Sequence, residues 1–241
     1  MLRLGLAIIL VLSLIVEPLT PLVPPAGGSA TLRLVLLVVG LVALATDGGA
    51  AADLPPRIGP DGFTVTSGVV RALPDQRLGI DVPEVRAVLR RMTAPTPTIR
   101  FHYLGPWAAT KPLASGEIRR QVGVKLRAQD TCNVVYVMWH IEPDARIAVS
   151  IKRNPGRRSH AECGAQGYVN IRPRRSAVVA AVQPGSSHTL RTILQVDALT
   201  VWADGVLVWE GSLPPDLLDF DGPVGFRTDN VVVELEYSVG G

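Results

Sequence analysis

From residue 98 onward, the chain is a succession of short β-branched runs separated by turn residues. Runs of this kind between Gly, Pro, Asn and Asp are typical of β-strands, and no stretch after residue 92 has the 3.6-residue period of an amphipathic helix. Many short strands at this spacing predict an all-β fold, a two-sheet antiparallel sandwich. The predicted strands are Thr98–Leu104, Glu117–Ala128, Cys132–Ile141, Arg146–Arg153, Tyr168–Arg172, Thr189–Val196, Leu199–Ala203, Val206–Glu210, Val224–Thr228 and Val231–Val239.

The segment before these strands is less regular. Phe63–Val70 has the composition of a strand. Val82–Met92 is open to two interpretations, because Pro83 followed by Glu84 would also suit the first turn of a helix. We interpret Val82–Met92 as a strand.

One hairpin can be predicted in detail. Asp204-Gly205 fits a two-residue type I′ turn, in which both residues take positive φ. The implied register places Trp202 and Trp209 on one face, and both faces of the hairpin are apolar, which predicts a hairpin covered on both sides. A packed core is favoured for the two tryptophans over a sugar-stacking platform. The implied pairs are Ala203 with Val206, Trp202 with Leu207, Val201 with Val208, and Thr200 with Trp209.

Two apolar runs, Leu4–Val16 and Leu34–Ala45, lie near the start on either side of the Pro/Gly-rich segment Glu17–Ala30. Each is shorter than the roughly 20 residues of a spanning helix and close to the roughly 7–15 of a signal-peptide core. Ala43-Leu-Ala45 has the small-x-small pattern of a signal peptidase site, and Ala50-Ala-Ala52 is a second candidate.

Three alternatives remain for these runs: a leader that begins near residue 31, a membrane anchor formed by the first run, or a short helical hairpin in the membrane. Two buried core helices are disfavoured because neither run has a polar face. All three alternatives place the chain from about residue 53 outside the cytoplasm. The sequence therefore predicts a hydrophobic leader over 1–52 and a β-sandwich domain over 53–241, which is secreted, periplasmic or held at the cell envelope.

Cys132 and Cys163 are the two cysteines of the chain. In an oxidising compartment an even count indicates a disulfide. The alternative is a metal site that adds His140 and His160, but Cys132 and His140 lack the close pairing of structural zinc ligands. The disulfide is favoured.

The composition excludes some partners. Charged residues are 19% of the chain and the formal net charge is +3, so the chain is neither a disordered tail nor a nucleic-acid-binding arm. No phosphate-binding glycine loop, nucleophile elbow or HExxH motif is present. The sequence indicates no cofactor, with calcium left open.

Three C-terminal segments form a recognisable pattern: Leu199-Thr-Val-Trp-Ala-Asp-Gly205, Gly222-Pro-Val-Gly-Phe-Arg-Thr-Asp-Asn230 and Val231-Val-Val-Glu-Leu-Glu-Tyr237. They resemble the closing hairpin and last strands of concanavalin A-like lectin/glucanase jelly rolls, including laminin-G-like domains. The resemblance is good over about forty residues and implies an exported bacterial member of that superfamily, which contains lectins, glycan-binding modules and glycosidases. The E-x-D-x-x-E signature of its glucanases is missing, and nothing marks Glu234 or Glu236 as catalytic.

Strand alternation gathers a polar surface from three of the predicted strands. If those strands are neighbours, their outward side chains form one cationic, aromatic-bearing face of the kind that lines the concave groove of a jelly roll. Such a face would bind an anionic or hydroxyl-rich glycan through Arg and Lys hydrogen bonds and Tyr contacts. The candidate residues are Lys125, Arg127, Tyr136, His140, Ser150, Lys152 and Asn154.

An ordinary solvated sheet face is the competing interpretation of this surface. Taken together, the sequence predicts a module that binds a carbohydrate or an anionic envelope polymer, without a clear catalytic pair, and a membrane contact if the leader is retained. A diverged glycoside hydrolase or lyase and a structural protein-interaction domain are the alternatives.

Overall fold

A computed structural model of the protein describes residues 55–90 and 96–240. Fifteen strands form two antiparallel sheets, which confirms the all-β sandwich. The leader predicted over 1–52 lies outside the described residues. Within the described part of the chain, no helix has the length and apolar character needed to cross a membrane.

The first sheet has seven strands and brings together segments that are far apart in the sequence. Strand β14 lies third in this sheet, between β4 and β6, and pairs with both. In spatial order the strands are β1 (Phe63–Ser67), β4 (Glu84–Leu89), β14 (Gly225–Asp229), β6 (Arg120–Leu126), β7 (Val134–Glu142), β8 (Arg146–Lys152) and β9 (Tyr168–Ile171).

The second sheet has eight strands. A single short helix, α1 (His160–Cys163), and 3-10 turns at Pro60–Gly62, Pro74–Gln76 and Pro215–Leu217 occupy connections within the described residues. In spatial order the strands are β10 (Arg175–Ser176), β13 (Val206–Ser212), β12 (Ala198–Ala203), β11 (Ser187–Gln195), β5 (Thr96–Pro106), β15 (Val231–Gly240), β3 (Leu78–Asp81) and β2 (Arg71–Ala72).

The core lies between the sheets, where alternate side chains of both meet. Phe63 contacts the rings of Phe226 and Tyr237 edge-on, with centroids 5.1 and 5.2 Å away. On the other side of the core, Phe101 meets Trp139 in the same geometry at 5.7 Å. Burying each large apolar side chain stabilises the fold by about 1.5–3 kcal/mol.

The ten strands predicted after residue 92 are all present, with end points shifted by a few residues. Phe63–Val70 contains β1 and Val82–Met92 contains β4, so the interpretation of Val82–Met92 as a strand is confirmed. Strands β2, β3 and β10 were not predicted, because runs of two to four residues carry too little periodicity to detect.

The hairpin prediction is half right. Asp204 and Gly205 take φ of 50° and 79°, as a type I′ turn requires, and the two pairs next to the turn are those predicted. Beyond Trp202 a bulge shifts the register by one residue, so Val201 pairs with Trp209 rather than with Val208.

A one-residue shift exchanges the faces of a strand. Trp209 therefore turns into the core, where it is 2% exposed, while Trp202 faces outward beneath the Arg191 guanidinium at 5.2 Å. The expected shared face of the two tryptophans was wrong, and the packed-core interpretation holds for Trp209.

Candidate functional site

The outer face of the seven-stranded sheet carries charged and aromatic side chains from six neighbouring strands. Because Val122 and Val124 of β6 point into the core, Gln121 and Lys125 point away from it. We call this surface the cationic face; it comprises Arg86, Gln121, Lys125, Tyr136, His140, Ser150, Lys152, Tyr168, Arg227 and Asp229.

Strand pairing arranges the cationic face in rows that cross the sheet. In one row, Lys125 lies opposite Tyr136 on one side and Gly225 on the other. Tyr136 is in turn paired with Ser150. In a second row, Arg86 is opposite Arg227. A third row joins Asp229, Gln121 and His140. These long-range pairings, rather than proximity in the sequence, bring the charges together.

The middle of the cationic face is buried, although it does not belong to the main core. Lys125, Tyr136 and His140 are 3%, 5% and 2% exposed. Towards the edge the face opens, since Ser150 on β8 is half-buried and Tyr168 on β9 is 41% exposed. A ligand would therefore meet Tyr168 first.

Asp229 is the centre of a buried hydrogen-bond network. Its carboxylate accepts hydrogen bonds from Arg86 Nη2 at 2.7 Å, Arg227 Nε at 2.8 Å and Gln121 Nε2 at 2.6 Å. Burial alone would raise the pKa of Asp229, but Arg227 and Arg86 lower it below the usual range. The amide oxygen of Gln121 is buried and has no hydrogen-bond partner among the described residues.

Lys125 lies beside this network without a counter-ion of its own. It forms no ion pair or hydrogen bond with the residues that the structure describes. Burial, followed by repulsion from Arg86 and Arg227, lowers the pKa of Lys125 from 10.5 to about 7. The lysine is therefore poised between its charged and neutral forms near neutral pH.

The aromatic side chains of the face form a stacked series. The Arg227 guanidinium lies 5.0 Å from the centroid of the Tyr136 ring, which stacks on Tyr168 at 6.1 Å with an interplanar angle of 23°. Lys152 Nζ lies 5.3 Å from the Tyr168 ring. Burial raises the pKa of the Tyr136 phenol to about 12, so it stays a neutral hydrogen-bond donor.

One corner of the face is fixed by a disulfide. Cys132 and Cys163 are joined, with their Cα atoms 5.9 Å apart, as predicted. The cysteines are therefore not metal ligands, and the described residues contain no group of three or more His, Cys, Asp or Glu that could hold an ion. Lys152 Nζ donates to the carbonyls of Thr131 and Gly164 at 3.2 and 2.7 Å, so its charge is tied to this corner.

The structure places Arg127 outside the cationic face. Strand β6 ends at Leu126, and Arg127 takes a left-handed φ of 47°, so strand alternation no longer applies. Its guanidinium donates to the carbonyls of Leu218 and Val196, each at 3.1 Å. Arg127 therefore braces two loops, which corrects its predicted position.

Asn154 also lies off the face, because β8 ends at Lys152. Its side-chain amide donates to the carbonyls of Cys132 and Gln166 at 3.2 and 3.0 Å in the disulfide corner. The other five predicted residues do share the face. Of these, His140 is held neutral, since burial and then Arg119 lower its pKa from 6.5 to about 3.

The sequence did not select five residues that complete the face: Arg86, Gln121, Arg227, Asp229 and Tyr168. The alternation of Arg227 and Asp229 on one strand was a usable signal, since two opposite charges two residues apart share a face. Strand order was the missing information, because β14 enters the sheet between two strands that precede it by a long stretch of sequence.

The outer face of the eight-stranded sheet differs. An open groove of about 370 Å³ is lined there by polar and charged residues of β5, β11 and β15 together with Arg77, which precedes β3. Each of its carboxylates is paired with an arginine, Glu234 with Arg77 and Glu236 with Arg57. Both carboxylates that line the groove are therefore engaged in ion pairs.

Comparisons with known proteins address the fold. No protein-family model and no curated protein matches the chain significantly. Among solved structures, it is similar to the carbohydrate-binding module CBM66 from Bacillus subtilis, with a TM-score of 0.50 and 12% identity over 73% of this chain and 92% of that one. The carbohydrate recognition domain of Emp46p has a TM-score of 0.46 and 10% identity over 75% of this chain and 89% of that one. Sheep galectin-11 has a TM-score of 0.36 and 8% identity over 67% of this chain and 95% of that one. The likeness to CBM66 shows the fold alone, a sandwich of two antiparallel sheets.

Proposed function

We propose that this chain is an exported carbohydrate-binding module of the concanavalin A-like kind, and that the cationic face takes the glycan. The observation that carries the proposal is a surface in which a partly exposed tyrosine leads into buried hydrogen-bonding groups. Apolar ring faces combined with a few convergent polar groups are the usual composition of small-ligand sites. Structures that bind carbohydrate are among those with a similar fold.

Export is part of the proposal. Two observations support it. The leader contains two apolar runs, and the chain has a disulfide, a bond that persists in oxidising compartments. Partial proteolysis and mass spectrometry of the secreted protein would locate its N-terminus. A mature chain that begins near residue 46 or 53 supports export, whereas a cytoplasmic chain with an intact N-terminus refutes it.

Binding without hydrolysis agrees with the charges of the face. A glycosidase needs two carboxyl groups about 5–10 Å apart across the scissile bond. Asp229 is the one carboxylate of the face, and Glu84 of β4 lies outside it; both are engaged by Arg86. Assays for reducing ends on any retained glycan test this directly, and released product would favour the hydrolase alternative.

Tyr168→Ala is the test of the site. We expect retention of glycans on an array to fall at least about tenfold, or about 1.4 kcal/mol, because the exposed ring is lost. Trp202→Ala on the other sheet is the matched control and should retain glycans as the parent does. Equal loss in both variants, or none in either, would refute the location of the site. Arrays with and without calcium would show whether an ion takes part.

A further inference from the structure

The middle of the cationic face holds more positive charge than its own carboxylates balance. Arg86, Arg227 and Lys125 lie together; Asp229 is the buried carboxylate among them, and the half-buried Glu84, which also pairs with Lys111, is the second carboxylate that Arg86 meets. Asp229 already accepts three hydrogen bonds, two of them from the arginines. The arginines are therefore satisfied, and the charge of Lys125 is left over.

No element packed around Lys125 supplies a carboxylate that pairs with it directly within the described residues. Strand β4 contributes Arg86, β14 contributes Arg227 and the bare backbone of Gly225, and β7 contributes the Tyr136 phenol. The loop after β6 contributes Asp130, the one carboxylate whose charge favours protonated Lys125.

The Asp130 carboxylate is already hydrogen-bonded to neighbouring residues. Its carboxylate accepts hydrogen bonds from the backbone N–H groups of Cys132 and Asn133 at 2.7 and 2.8 Å, and from the Asn133 side chain at 3.1 Å. It thereby fixes the turn that leads into β7. Within the described residues, Lys125 is left as a buried cation with no direct partner.

A buried, unpaired ammonium is unfavourable unless an anion joins it. This cost is removed in one of two ways: the lysine loses its proton, or a ligand supplies a negative charge beside it. The buried amide oxygen of Gln121, also without a partner among the described residues, lies on the same strand. It is an acceptor that a sugar hydroxyl would satisfy.

We propose that Lys125, beside the Arg227 and Arg86 pair of the neighbouring strands, is the anchor of an anion-binding subsite that takes the carboxylate or phosphate group of an acidic glycan. Gln121 accepts a hydroxyl of the same ligand, and Tyr168 lies at the entrance. This inference rests on the proposed function, since it names the ligand class of the same face. It makes Lys125 a specificity residue that separates acidic from neutral sugars.

The subsite is pH-dependent. The charged form of Lys125 binds the anion, and its pKa near 7 is lowered by burial and by Arg86 and Arg227. Affinity for acidic ligands therefore falls as pH rises from 6 to 9. A bound anion raises the pKa of the lysine, so ligand binding takes up a proton at neutral pH.

The experiment uses the full chain and its variants Lys125→Met and Lys111→Met, which remove the same charge. Lys111 is an exposed lysine outside the face. Pairs of array glycans that differ only by a carboxylate or a phosphate are compared. We expect the parent and Lys111→Met to retain the acidic member at least tenfold better, and Lys125→Met to lose that preference. Comparing the carboxylate pairs with the phosphate pairs shows which anion is preferred.

A second measurement needs no glycan. In urea unfolding at pH 6, Lys125→Met should have a higher midpoint than the parent, and added inorganic phosphate or glucuronate should raise the midpoint of the parent alone. The gain from Lys125→Met should shrink at pH 10, where the parent lysine is neutral. A lower midpoint for Lys125→Met would show a merely structural lysine and overturn the subsite.

The outcomes separate the two proposals. Retention of no glycan by the parent overturns the proposed function. Retention of neutral and acidic glycans alike, or an acidic preference that survives in Lys125→Met, overturns the subsite and leaves the carbohydrate module standing.

Discussion

The two outer faces of the sandwich carry similar residue types in opposite arrangements. On the eight-stranded sheet, Glu234 and Glu236 meet Arg77 and Arg57 as partly exposed ion pairs. On the seven-stranded sheet, Lys125 and Arg227 are buried and Arg86 is half-buried, and these three cations outnumber the one buried carboxylate, Asp229. Exposed pairs form and break at little cost, whereas buried charges must be compensated.

The contrast separates charges that keep a surface soluble from charges that serve a ligand. A protein gains little stability from a buried ionic cluster compared with apolar residues of the same volume. Retaining Lys125 inside the cationic face therefore lowers the stability of the unliganded domain. The eight-stranded face has no such group among its described residues, and we assign it no ligand.

Asp229→Asn should give the largest effect. Removing the charge leaves the buried Arg227 without a carboxylate partner and Arg86 with Glu84 alone, which costs about 3–5 kcal/mol of unfolding free energy. Glu236→Gln on the other face removes an exposed pair and should cost less than about 1 kcal/mol. Urea unfolding of the full chain measures both. Equal costs would abolish the distinction between the faces, and if Asp229→Asn does not fold, the double variant with Lys125→Met should recover part of the loss.

His140 should give an intermediate effect that depends on pH. Its folded pKa of about 3 lies below its unfolded value of 6.5, so between these pH values the unfolded chain binds more protons. Stability therefore falls as pH drops below 6.5, by about 2 kcal/mol at pH 5. His140→Gln should flatten this part of the plot of unfolding free energy against pH. His102→Gln on the other face is the control and should have the same slope as the parent. An unchanged slope in His140→Gln would show that His140 is not held neutral.

Arg191→Ala should give the smallest effect. The guanidinium stacks on Trp202 at 5.2 Å at the outer surface, and such contacts contribute about 0.5–1 kcal/mol at exposed sites. Arg191→Lys keeps a cation over the ring and should recover part of the loss. Urea unfolding of the parent and both variants measures the effect. A loss of unfolding free energy above about 2 kcal/mol would mean that this face is not a simple solvated surface.

Local patterns predicted most of the fold. Alternation and turn residues located the long strands, and Asp204-Gly205 set its hairpin turn correctly. Errors arose where one residue breaks the alternation. The bulge at Val208 moved Trp209 to the other face, and the left-handed φ of Arg127 removed it from the site. Neither the bulge nor the left-handed φ could be predicted from the type of residue at that position.

The site was harder to predict than the strands. Lys125, Tyr136 and Ser150 come from consecutive strands, so alternation alone could align them. Arg227 and Asp229 reach the same face through a strand inserted from far along the chain. Their partnership with Lys125 depends on strand order, which local sequence does not encode.

The position of β14 also has a consequence for biosynthesis. Strands β4 and β6 emerge early, but the strand that joins them follows β13. Until it arrives, each has an open edge that can pair with another chain. Such long-range closure is slow compared with hairpin formation. The nascent chain is therefore exposed to misassembly during most of its synthesis, and a holding chaperone that shields strand edges should raise the yield of folded protein.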